Sequence, residues 1–74
     1  MIKIKDNTDL KELEKFGFKN NEEFYEIGEL FRGLIEIPIK SRYLEIYYCE
    51  NMKIDIEDII FELTQAGLVE KVGE

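Results

Sequence analysis

Side chains able to do chemistry are few in this chain, and the densest group lies around position 55. The segment "NMKIDIED" gathers Asn51, Asp55, Glu57 and Asp58, oxygen donors of the kind calcium takes. Their spacing departs from the D-x-[DN]-x-[DN]-G loop and lacks its glycine, whereas acids at a helix start are favoured by the helix dipole. The segment therefore reads as a helix start, and no metal is expected. Histidine is absent, and with it the commonest general acid/base and the commonest metal ligand. The one cysteine, Cys49, has Glu45 and Glu50 as its charged sequence neighbours. Both disfavour a thiolate, so Cys49 reads as a partly buried strand residue and not as a nucleophile. Paired carboxylates for glycoside chemistry can be drawn from 17 acidic residues, but a chain of 74 offers little volume for a substrate cleft. No G-x-G-x-x-G, G-K-[ST], G-x-S-x-G or C-x-x-C occurs. The expectation is a protein that is not an enzyme and uses no cofactor.

Composition narrows the partners. Ten basic residues against 17 acidic ones give a net charge of −7, which disfavours unspecific attraction to phosphates or anionic lipid. Nucleic acid and membrane surfaces are thus not expected partners. No apolar stretch approaches the ~20 residues of a membrane span, and "MIKIKDNTDL" lacks the apolar core of a signal peptide. A single cysteine fits a reducing compartment, so a cytoplasmic location is expected. With 45% hydrophobic residues, one proline and no Ser/Gly/Pro-rich run, residues 1–74 read as one compact domain.

The elements follow from periodicity. "IKIK" at 2–5 alternates as a short strand. Asp9 or Thr8 can cap a first helix, Leu10, Leu13 and Phe16 form its apolar stripe, and Gly17 stops it with Phe18 folding back on Leu13. Three apolar runs at roughly 23–27, 30–39 and 42–49 then read as strands separated by "KNNE", "IGE" and "IKSR". In the second run Phe31, Gly33, Ile35, Ile37 and Ile39 share one parity, and Arg32, Glu36 and Lys40 the other. Pro38 belongs at an edge or bulge. In the third run Leu44, Ile46 and Tyr48 are the better core set, against Tyr43, Glu45, Tyr47 and Cys49. Asp55 caps the last helix, Ile54 and Ile59 staple it, and Ile56, Ile59, Ile60 and Leu63 form its stripe. Gly67 ends it with Leu68 against Leu63, and 68–72 reads as a closing strand. The order β-α-β-β-β-α-β predicts an α+β fold, an antiparallel or mixed sheet of four to five strands with two helices packed on one face.

That arrangement leaves the other face open, carrying Arg32, Glu36, Tyr43, Glu45 and Tyr47. Tyrosine mixed with charge is the composition of protein interfaces, although the same residues also stabilise an ordinary polar sheet face. The expected partner is another protein, or a second copy of the chain in a homodimer; otherwise the chain is a monomer. The ending "LTQAGLVEKVG" invites a winged-helix reading, but between Lys53 and Lys71 there is no basic residue while Asp55, Glu57, Asp58, Glu62 and Glu70 are acidic. Such a helix is repelled by phosphates.

The segments "MIKIKD", "DLKELEKFGF" and "IEDIIFELTQAGLVEKV", with a tyrosine-containing middle between them, resemble small uncharacterised proteins encoded by phages and prophages of AT-rich Gram-positive bacteria. The resemblance implies a phage or mobile-element origin and no particular activity. Beside a protein-binding module it leaves open an acidic inhibitor, or DNA mimic, of a host nucleic-acid-binding defence machine, and a structural self-assembling protein.

Overall fold

The computed structural model describes residues 1–29, 32–52 and 54–73. Strand β1 (Ile2–Ile4) leads into a short helix over Leu10–Phe16. Strands β2 (Lys19–Asn20), β3 (Phe24–Gly28), β4 (Leu34–Pro38) and β5 (Glu45–Tyr47) follow. Helix α1 (Ile56–Gln65) and strand β6 (Val69–Lys71) complete the α+β fold.

The first helix is a 3-10 helix. Its apolar residues Leu10, Leu13 and Phe16 recur every three positions, and three residues per turn is the 3-10 repeat that stacks them on one line. Asp9 is the cap, its carboxylate accepting from the Lys11 amide at 2.9 Å. Glu12, in the first turn, pairs with Lys15 at 2.9 Å. At the other end Gly17 is left-handed, with φ of 96°, and the Phe18 amide donates to the Leu13 carbonyl at 3.3 Å. α1 ends the same way, the Leu68 amide donating to Leu63 at 3.1 Å and that of Gly67 to Thr64 at 3.0 Å. These are the paired bonds of a Schellman motif. Asp55 caps α1 by accepting from the Asp58 amide at 3.1 Å.

The strands form two antiparallel sheets in place of the single one expected, β1-β6 and β2-β3-β4-β5. They are joined by one bridge, Lys3 opposite Tyr43, where the Ile4 amide donates to the Arg42 carbonyl at 2.8 Å and the Leu44 amide to Ile2 at 2.9 Å. β2 was hidden in "KNNE", read from sequence as a turn; Lys19 and Asn20 pair with Glu26 and Tyr25. Pro38 is the last residue of β4, beyond the stretch that β5 pairs. There its missing N–H leaves no ladder bond unmade.

One face of the larger sheet presents Tyr25, Ile27, Ile35, Ile37 and Ile46, register neighbours across β3, β4 and β5. Tyr25, Ile35 and Ile37 enter a single buried cluster with Ile4, Phe18, Leu44, Leu13 of the 3-10 helix, and Ile56 and Leu63 of α1. Both helices thus cover the same face. Tyr48, expected inside with Leu44 and Ile46, is 69% exposed. β5 stops at Tyr47, so the inward alternation does not reach it. The strand expected over 30–39 begins at Leu34; residues 30 and 31, Phe31 of the apolar parity among them, lie outside the described residues.

Candidate interaction face

On the side of the sheet away from the helices, alternation places Glu26, Glu36 and Glu45 together. Glu26 stands opposite Glu36, and Glu36 opposite Glu45, on three adjacent strands. Directly opposed residues in an antiparallel pair have Cα atoms about 4.5–5.5 Å apart, so three like charges form one row across the sheet. Lys19 continues the row on β2. Partial burial first, then the charges of Glu26 and Glu45, pushes the Glu36 carboxyl above the ordinary glutamate range. Tyr47, 44% exposed, lies one register step along opposite Leu34. Its hydroxyl donates to Glu45 Oε1 at 3.4 Å. Desolvation, followed by Glu36 and Glu45, raises its pKa.

Of the five residues expected on this face, Glu36, Glu45 and Tyr47 are brought together. Tyr43 keeps their parity but belongs to the other junction. It faces Lys3 on β1, whose ammonium sits 5.6 Å from its ring centroid and 2.9 Å from Asp6. Arg32 is not on the face. It precedes β4, where the Glu29 amide donates to the Gly33 carbonyl at 3.0 Å, and Gly33 at φ of 94° breaks the alternation that would have aligned it with Glu36.

Two residues outside the expected five also matter. Glu26 completes the acidic row, and the polar parity of "EFYEIG" was the available signal. Arg42 is the second. Its backbone is left-handed at φ of 67°, and its Nη1 donates to the carbonyls of Lys5 at 2.7 Å and Thr8 at 2.8 Å. Nothing local in "KSRY" marks it, because both acceptors are more than 30 residues away.

A cleft of about 330 Å³ opens where β2 leaves the edge of β3. Lys19, Glu26, Ile27, Glu29, Arg32 and Ile54 are among its walls. Arg32 reaches Glu29 only at 4.0 Å.

No protein-family model, curated protein or solved structure matches this chain. Among the described residues no helix is long and apolar enough to cross a membrane.

Proposed function

We propose that this chain is a small, non-enzymatic, cytoplasmic protein-binding module that docks a basic segment of a protein partner on its outer sheet face. The acidic row Glu26–Glu36–Glu45 carries the reading. Like charges directly opposed in a sheet destabilise it by about 0.2–1 kcal/mol per pair. Neutral residues at these positions would avoid that cost, and sequences depart from local stability rules mainly where function requires it. A cationic segment crossing the strands relieves the repulsion on binding, and the net charge of −7 attracts it from a distance. Tyr47 beside the row adds a half-exposed ring with a polar tip.

The same row favours one other reading, an acidic inhibitor that occupies the nucleic-acid site of another protein, since such a mimic must gather its acids on one face. The cations Lys19 and Lys3 on that side weigh against it. Either role fits the phage or mobile-element origin suggested by "EKFGF" and "AGLVEKV".

The test is affinity purification from the source cell, followed by titration of the recovered partner with wild type, Tyr47→Ala and Glu36→Gln. Binding should weaken in both variants and fall as salt rises. Competition by duplex DNA for the partner selects the inhibitor reading. A partner held equally by all three proteins, with no salt dependence, refutes both.

A further inference from the structure

We infer that the cleft at the end of β2 binds a free α-amino acid with an aliphatic side chain. Its walls carry both signs of charge and an apolar surface: Lys19 and Arg32, Glu26 and Glu29, Ile27 and Ile54. A carboxylate calls for the first pair, an ammonium group for the second, and an aliphatic chain for the third. The volume of about 330 Å³ lies at the small end of the range for ligand pockets and admits a molecule of amino-acid size.

The cleft is a consequence of topology. β2 pairs with β3 only at Lys19–Glu26 and Asn20–Tyr25, and then the chain turns away at Gly17. The edge of β3 at Ile27 and Gly28 is left without a strand beside it. The mutual amide–carbonyl bonds of Asn21 and Phe24 show that Phe24 faces β2. By alternation Glu26 and then Gly28 face the same way, so the Gly28 N–H is directed toward the open edge, where it adds a donor for a carboxylate. Gly17 and Gly28, both on the wall, bring no side chain to fill the space. Among the described residues Lys19 makes no ion pair, and Arg32 and Glu29 meet only at 4.0 Å with side chains 50% and 73% exposed. Their charges are therefore available to a ligand.

The experiment is an amide-shift NMR titration of the full chain with L-leucine. Saturable shifts are expected at Gly17, Lys19, Ile27 and Gly28, with a dissociation constant of about 1 mM for so open a site. 4-Methylpentanoate lacks the ammonium group and isoamylamine the carboxylate; each should bind about tenfold more weakly, as expected for one lost charged contact. Lys19→Gln and Glu29→Gln, at exposed positions, should each weaken L-leucine about tenfold while leaving the rest of the spectrum unchanged. No saturable shift at about 10 mM overturns the inference. Equal binding of N-acetyl-leucine also overturns it, assigning the cleft to a polypeptide C-terminus. Lys19 stands opposite Glu26 in the acidic row, whereas Glu29 lies outside it, so Glu29→Gln gives an outcome separate from that of the partner face.

Discussion

Glu36→Gln should stabilise the free protein, an unusual expectation for a substitution in the middle strand of a sheet. Glu36 is flanked in register by Glu26 and Glu45. Each opposed pair costs about 0.2–1 kcal/mol, and water on the open side screens both, so about 1 kcal/mol is recovered when the central charge is removed. In a domain of this size that is a rise of roughly 4–8 °C in Tm. The pH dependence gives the sharper reading. The folded-state pKa of Glu36 is raised, so its favourable contribution is fully present below the unfolded value of about 4.3 and is lost as pH rises through the folded value. The advantage of Gln should be absent in acid, open as pH climbs through that window, and persist at neutrality. Glu45→Gln, at the end of the row with one carboxylate neighbour, should gain less. Thermal melts followed by circular dichroism at several pH values, at low and high salt, supply the measurement. A variant no more stable than wild type at pH 7, or an advantage that salt leaves unchanged, refutes the repulsive row.

Five further substitutions probe the frame. Arg42→Ala removes both bonds to the Lys5 and Thr8 carbonyls and should cost about 1–3 kcal/mol in urea melts. Arg42→Gly loses the same bonds but relieves the left-handed backbone, so it should be the milder change by about 1 kcal/mol. Gly28→Ala puts a Cβ onto the Gly33 carbonyl oxygen at φ of 97° and should destabilise by about 2–4 kcal/mol. Gly67→Ala, at φ of 76° in open space, should cost only about 1 kcal/mol by the same melts. Burial, then Glu14 and Asp9, raises the pKa of Tyr25. Its contribution is complete below about pH 10 and lost above it, so Tyr25→Phe should overtake wild type in alkaline urea melts.

What could be read from the sequence is what short-range hydrogen bonding decides. Asp55, Gly17 with Phe18, and Gly67 with Leu68 end their helices through bonds spanning five residues or fewer, and the alternation of Glu36, Glu45 and Tyr47 is intrinsic to extended chain. What could not be read depends on distant partners. Within "RYLEIYY", Tyr43 pairs with β1 and residues 45–47 with β4, and Arg42 beside that junction is held by acceptors in the turn after β1. There the strands divide into a four-stranded and a two-stranded sheet joined by the Lys3–Tyr43 bridge. Arg32 leaves the face for a local reason: parity does not run through Gly33, because a left-handed residue resets the alternation. The threefold spacing of Leu10, Leu13 and Phe16 was visible, and it was the direct signal for a 3-10 helix.

The change of neighbour at Arg42 also divides the outer face. Residues 43 to 47 keep one alternation, so Tyr43, Glu45 and Tyr47 point the same way, yet Tyr43 stands opposite Lys3 while Glu45 and Tyr47 stand opposite Glu36 and Leu34. Lys3 is engaged by Asp6 at 2.9 Å and has Glu70 opposite it on β6. Charge on that half is therefore compensated within the chain. On the other half, among the described residues, Lys19 is the only register neighbour of opposite sign in the Glu26–Glu36–Glu45 row, and it makes no ion pair. Uncompensated charge is what a partner can neutralise, so the basic segment proposed above would gain most across β3, β4 and β5, beside Tyr47. Tyr43 belongs instead to the junction that holds the two sheets together.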